Sequence, residues 1–165
     1  MAMFVHLTAE KNVSRILRNG ISRPRKKSAC PHGIFAMPVT RNFYVSHQWL
    51  RELKRRGEGR VAAIYFRVPD EDSVWIGHYN RQHQKMTAAE ALALIAGQAN
   101  AEGYEVMIPG KIKRSQVHRV KRISQVVGWR YYPGAHGKRP CGCPVCQRGE
   151  YGARRLRELY EKSNT

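Results

Sequence analysis

YEVMIPGKIKRSQVHRVKRI, residues 104–123, contains two candidate β-strands joined by a short basic turn. The two strands are predicted at 105–109 and 116–123 from their apolar and β-branched residues. Upstream of this stretch, candidate strands and helices alternate along the chain. Strands and helices therefore alternate in the first part of the chain, and strands follow one another in the later part. This order of elements favours an α+β fold over a doubly wound parallel sheet.

The upstream elements carry local start and stop signals of their own. Gly20 suits the stop after a helix over 10–19, because glycine readily adopts the left-handed conformation found there. Thr87 and Glu90 have the capping-box spacing for the start of a helix over 87–99. The remaining predictions are strands at 3–8, 33–39, 60–68 and 126–132, a short strand at VWIG (74–77) followed by a loop, a helix at 40–56 with Thr40 as its N-cap, and a final basic helix at about 150–162. The composition of the strand at 60–68 suggests burial on both faces.

The length and the apolar residues indicate a single domain outside the membrane. A chain of 165 residues is long enough to bury one core. It has no run of about 18 apolar residues that could span a bilayer. Its first residues lack the charged-then-apolar layout of a signal peptide, so a cytoplasmic location and no membrane partner are expected.

The charge of the chain is strongly positive. Thirty Lys and Arg face 12 Asp and Glu, for a net charge of +18. Basic residues are spread over the whole chain, so a field of one sign covers much of the surface and favours a polyanionic partner. Nucleic acid or a ribonucleoprotein is the preferred partner; an anionic membrane, or a basic surface that serves solubility alone, are the alternatives.

The four cysteines are placed unevenly, and three of them fall within six residues. Cys141, Cys143 and Cys146 form a C-x-C-x-x-C pattern, whereas Cys30 stands alone. Clusters of this kind in a cytosolic chain bind metal more often than they form disulfides. Three thiols are one short of a tetrahedral zinc site, and the fourth ligand could be Cys30, His32 or His136. Structural zinc is the preferred interpretation, with free or redox-active thiols and a catalytic metal as alternatives.

Three segments, in this order, resemble the ADP-ribosyltransferases. FVHLTAEKNVSRILRNGI (4–21) is similar to the opening strand and helix of that family, and GIFAMPVTRNFY (33–44) to the strand before a tyrosine-bearing helix in poly(ADP-ribose) polymerases. YEVMIPGKIKRSQVHRVKRI (104–123) looks like the closing glutamate strand and the strand after it. The layout is that of the His–Tyr–Glu, or diphtheria-toxin-like, branch. The resemblance implies two small mixed or antiparallel sheets flanking an NAD cleft.

The resemblance assigns a role in NAD binding or catalysis to each of five residues. His6 would hydrogen-bond the adenosine-side ribose of NAD, and Thr8 would help to seat it. Gly33 would let the backbone approach the nicotinamide amide, and Tyr44 would stack on the nicotinamide ring. Glu105 would bind the nicotinamide-ribose hydroxyl and stabilise the oxocarbenium-like transition state. The other candidate histidines are His32, His47 and His118.

On this interpretation, residues 1–132 form a transferase-like catalytic domain, and residues 133–165 form a Cys-rich segment and basic helix packed on it. The expected activity is mono-ADP-ribosyl transfer by a toxin or effector, with a possible antitoxin as a further partner. Gly103 stands where protein-arginine-modifying members carry an acidic residue or Gln, which argues against that branch. Two rivals stay open: an NAD-consuming RNA 2′-phosphotransferase, and an inactive zinc-stabilised module that binds RNA or DNA.

Overall fold

The computed structural model describes residues 1–22, 33–40, 43–55, 59–79, 81–99, 101–123 and 125, and only the backbone of residues 43, 44, 46, 47 and 55. These residues form strands β1 (Ala2–Ala9), β2 (Ile34–Pro38), β3 (Val61–Val68), β4 (Ser73–His78), β5 (Gln84–Thr87), β6 (Tyr104–Ile108) and β7 (Val117–Arg122). The helices are α1 (Val13–Asn19), α2 (Phe43–Arg55) and α3 (Ala88–Ala96), with short 3-10 turns at Glu10–Asn12 and Arg114–Gln116. Within this part of the chain, none of the helices is long and apolar enough to cross a membrane.

The described strands make one antiparallel sheet in the order β5-β4-β6-β2-β1-β3-β7. The predicted α+β class is therefore confirmed. Instead of two small sheets there is one seven-stranded sheet, which narrows in its middle. β1 pairs with β3 along its whole length, but with β2 only at Phe4↔Pro38 and Val5↔Met37. This narrow β1–β2 junction divides the sheet into a four-stranded and a three-stranded half.

The sheet has two faces because successive side chains of a strand point to opposite sides. One face carries the main core, in which Phe4, Phe66 and Val106 pack with residues of α1 and α3. The other face carries a smaller cluster around Val5 and Met37, which Trp49 of α2 packs against. We call this second side the α2 face of the sheet.

Several local signals act as predicted. Gly20 ends α1 with a φ of 76°. The capping box of Thr87 and Glu90 is present at the start of α3: the Thr87 hydroxyl accepts from the Glu90 N–H at 3.2 Å, and the Thr87 N–H donates to the Glu90 carboxylate at 2.8 Å. β3 is buried on both faces over most of its length, as its composition indicated.

Other predictions differ from the structure or fall outside it. The loop expected after VWIG contains β5, a short polar strand paired with β4. The α2 helix begins at Phe43, so Thr40 lies three residues before it. The strand expected at 126–132, the Cys-rich segment and the final basic helix lie outside the described residues.

Candidate active site

Glu105 stands at the start of β6, on the α2 face of the sheet. It pairs with Gly77 of β4, and on the same strand Met107 pairs with Phe35 of β2. Phe35 and Met37 are two residues apart on β2 and so lie on the same face, as do Met107 and Glu105 on β6. The pairing of Met107 with Phe35 therefore puts Glu105 on the face that carries the Met37 cluster. The carboxylate therefore lies over the sheet surface, and the Glu105 side chain is only 16% exposed.

His83 meets this carboxylate from the other side of β4. Its Nε2 lies 3.1 Å from Glu105 Oε1, and its side chain is 15% exposed. Gly77, between the two, leaves the room for this contact, because a Cβ there would lie 3.0 Å from the His83 Cα and 3.1 Å from its ring. The β4–β5 hairpin brings His83 to this place, since Ile76 pairs with Gln84 immediately beyond.

Sequence reasoning missed His83 and considered three other histidines instead. His32 lies outside the described residues, and of His47 only the backbone is described. His118 is exposed on β7. The signal that could have found His83 is Gly77, whose missing side chain leaves room for the imidazole. Using this signal requires knowing that β4 pairs with β5, and the polar segment QKMT did not predict that strand.

Helix α2 is held against the start of β6 by two side-chain bonds to the backbone. The Gln48 carbonyl oxygen accepts from the Gly103 N–H at 2.6 Å, and the Trp49 indole N–H donates to the Tyr104 carbonyl at 3.3 Å. The Gln48 Nε2 is shielded from solvent and has no acceptor within the described part of the chain. Tyr44, as expected, lies just inside the helix, one turn before Gln48; its role in stacking stays a prediction.

His6 lies on β1 where the pairing of β1 with β2 stops. Its Nδ1 is 2.8 Å from the Phe35 carbonyl oxygen. Burial lowers the pKa of His6 below its usual value, and the hydrogen bond to Phe35 only partly opposes this effect. The imidazole is therefore neutral at pH 7. Because a carbonyl can only accept, Nδ1 carries the proton, and Nε2 is left as an acceptor.

Thr8 and Gly33 have local structural partners. The Thr8 hydroxyl oxygen accepts from the Asn12 Nδ2 at 3.1 Å, which ties β1 to the turn before α1. A Cβ on Gly33 would collide with the Met107 side chain and lie 2.6 Å from the Ile108 carbonyl oxygen. Close packing against β6 thus accounts for glycine at position 33, and its expected approach to nicotinamide stays a prediction.

The structure groups these residues in two places. Glu105, His83 and the middle of α2 come together on the α2 face. By strand alternation His6 and Thr8 belong to the opposite face of β1. Two strand spacings, about 10 Å, separate the backbones of β1 and β6, with β2 between them. The narrow junction between β1 and β2 lies between these two groups.

The predicted zinc ligands cannot be placed on this framework. Cys30, Cys141, Cys143 and Cys146 lie outside the described residues, as do His32 and His136. Among the residues that are described, no group of three or more His, Cys, Asp or Glu side chains is arranged to hold a metal ion. The zinc site therefore stays a prediction.

Comparisons of the chain with protein-family models, with curated proteins and with solved structures found no match. A function for this protein must therefore be argued from its own residues.

Proposed function

We propose that this protein is an NAD-dependent mono-ADP-ribosyltransferase that modifies nucleic acid or a nucleic-acid-bound protein. The observation that carries the proposal is the half-buried Glu105 carboxylate, placed at the start of β6 and bonded to His83 on the sheet face that α2 covers. On this proposal the described sheet is the core of an ADP-ribosyltransferase-like domain.

The proposed reaction gives the Glu105 carboxylate a specific role. The bond between the nicotinamide nitrogen and ribose C1′ breaks, and the nitrogen keeps the electron pair, so that the positive charge moves to the ribose. An acceptor oxygen or nitrogen then bonds to C1′ and releases its proton. A carboxylate beside the ribose stabilises this oxocarbenium-like charge more than it stabilises the ground state, and that difference is what catalysis requires. His83 is a positioning residue that holds the carboxylate in place.

His6 suits the other end of NAD. With Nδ1–H bonded to the Phe35 carbonyl and the ring neutral, Nε2 can accept a hydrogen bond from a ribose hydroxyl. On this proposal NAD extends from His6, past the point where β1 and β2 stop pairing, to Glu105. The buried Gln48 amide beside the start of β6 offers a donor for the nicotinamide end.

The nucleic-acid partner is proposed from charge. The net charge of +18 gives a field that attracts polyanions. On strand β7, at the end of the described sheet, His118, Arg119, Lys121 and Arg122 are all exposed. Such a strand can follow a phosphate backbone, so the acceptor can be brought to the enzyme without any base-specific contact.

The test is nicotinamide release from NAD by the purified full-length protein, with total RNA, duplex DNA and single-stranded DNA offered in turn. Release that depends on one polymer is expected. Glu105→Gln keeps the size of the side chain and removes its charge, so it should slow release by about two to three orders of magnitude. Glu71→Gln, on the exposed turn between β3 and β4, removes the same charge elsewhere and should release nicotinamide at the wild-type rate.

Two outcomes would contradict the proposal. No release with any polymer, together with no NAD-induced rise in melting temperature, would make the protein a nucleic-acid-binding module. Release that requires an RNA with an internal 2′-phosphate, and that survives Glu105→Gln, would instead establish the phosphotransferase reaction.

A further inference from the structure

A concavity lies on the α2 face, separate from Glu105. It has a volume of ≈ 220 Å³ and lies between Leu50 of α2 and strands β1, β2, β3 and β7. The residues that decide its chemistry are Val5, Leu7, Met37, Ala63, Tyr65 and Lys121.

The pocket is apolar inside and basic at one side. Lys121 is the only charged side chain among its described lining residues. Arg119 points to the same face of β7, since it pairs with Tyr65 while Lys121 pairs with Ala63. The Arg119 guanidinium lies 4.4 Å from the centre of the Tyr65 ring, which fixes that cation beside the pocket. An apolar cavity with two cations along its edge fits a ligand that combines a flat apolar ring with phosphate.

An exposed aromatic side chain connects this pocket to Glu105. Phe35 is two residues before Met37, on the same face of β2, and is 47% exposed. It pairs with Met107, which is two residues from Glu105 on the same face of β6. Bases of a single strand stack on exposed aromatic rings of this kind. A chain that leaves the pocket over Phe35 therefore runs toward the candidate catalytic carboxylate.

We infer that this pocket receives one unstacked base of a single-stranded nucleic acid, with Lys121 and Arg119 contacting the adjoining phosphates. The pocket is smaller than the 300 Å³ or so typical of drug-sized ligand sites, so it takes about one planar ring. Bases of an intact duplex are stacked in pairs and cannot enter, which excludes duplex nucleic acid from the site. The inference deepens the proposed function, on which it rests for the role of the strand as acceptor.

The experiment measures binding by fluorescence anisotropy of labelled oligonucleotides, without NAD. Single-stranded RNA, single-stranded DNA, their duplexes, and a single strand of equal length with abasic sites are compared. The abasic strand keeps every phosphate and lacks the bases. The wild-type protein should bind the intact strand more tightly than the abasic one, by about fivefold to a hundredfold, the range measured for one stacked base. The RNA and DNA arms identify which polymer is preferred.

Two variants separate the base from the phosphates. Ala63→Leu fills the pocket and leaves the charges in place, so it should bind the intact strand no more tightly than the abasic strand. Lys121→Gln keeps the pocket and should lower the slope of log Kd against log salt concentration by about 1 for both strands. Arg18→Gln is the matched control: it removes one exposed charge from α1, which packs on the opposite face of the sheet, and should leave both the preference for the intact strand and the salt slope unchanged.

Equal binding of intact and abasic strands by the wild-type protein would overturn the inference, and so would duplex binding as tight as single-strand binding. If Ala63→Leu misfolds, the abasic comparison and Lys121→Gln still decide the matter. The two proposals can also fail separately: nicotinamide release without a base preference would retain the transferase and reject the pocket. A base preference without any nicotinamide release would retain the pocket and reject the transferase.

Discussion

At the scale of single residues, His6 shows how burial and one hydrogen bond select a chemical state. Burial favours the neutral ring and so lowers the pKa, while the Phe35 carbonyl selects the tautomer with a proton on Nδ1. A resemblance to a family could assign His6 to NAD, but it could not say that the ring is an acceptor. That property comes from Phe35, 29 residues away in the chain.

The lowered pKa of His6 predicts a pH-dependent stability. In the unfolded chain the ring binds a proton near pH 6.5, whereas in the folded protein it stays neutral to lower pH. The contribution of His6 to the free energy of unfolding should therefore be complete above about pH 6.5 and shrink as the pH falls below it. Urea unfolding of the wild type and His6→Asn from pH 8 to 5 measures this difference. Since both proteins share every other titratable group, a gap that is constant, or that widens on acidification, would contradict the prediction.

At the scale of elements, the sequence predicts best where the signal is local. The capping box at Thr87 and the helix stop at Gly20 need only a few neighbouring residues, and both are confirmed. β5 was missed because Gln84–Thr87 is short, mostly polar and half-exposed or exposed, so only its pairing with β4 makes it a strand. The joining of two expected sheets into one could not be foreseen either, since it depends on two residue pairs between β1 and β2.

The same distinction applies to the candidate site. Glu105 could be proposed from its place before an apolar strand, together with the family resemblance. His83 could not, because its contact with Glu105 depends on the register of β5, β4 and β6 and on the missing side chain of Gly77. A residue brought to a site by strand pairing leaves no mark in the local pattern of the sequence.

Gly77 gives a prediction about the β4–β5 hairpin. In Gly77→Ala the new methyl group would lie 3.0 Å from the His83 Cα, closer than an ordinary contact, so β5 has to give by a few tenths of an ångström and His83 is expected to shift relative to Glu105. Overpacking of this kind should lower the free energy of unfolding by roughly 1–3 kcal/mol. Gly59→Ala is the matched control, because a Cβ there meets nothing within 4 Å among the residues that the structure describes. Urea unfolding of both variants tests this prediction. Equal free energies of unfolding would mean that β5 accommodates the methyl group without cost and that Gly77 does not position His83.

At the scale of the whole molecule, the net charge of +18 makes the folded chain repel itself, so any bound anion relieves part of that repulsion. Acidic residues are scarce, and one of them forms ion pairs with two cations: Glu10 contacts Arg60 at 3.0 Å and Arg122 at 3.3 Å. Stabilisation by a phosphate-containing ligand is thus expected without any specific site. A test of NAD binding must separate this general effect from recognition at the β1–β2 junction.

That separation defines the last prediction, which concerns thermal unfolding with NAD and with ATP as the control for general anion binding. At a free concentration of about 100 times Kd, a ligand that binds only the folded protein adds about 2.7 kcal/mol to its stability. For a chain of 165 residues this corresponds to a rise in Tm of roughly 5–10 °C. NAD should raise the Tm more than ATP does at equal concentration and ionic strength, because only NAD offers a second ribose and a nicotinamide to the Glu105 side of the junction. In Glu105→Ala the excess of NAD over ATP should shrink, since the acceptor for the nicotinamide-ribose hydroxyl is lost, while the ATP effect should persist. An NAD shift that Glu105→Ala leaves unchanged would contradict recognition of the nicotinamide half at Glu105.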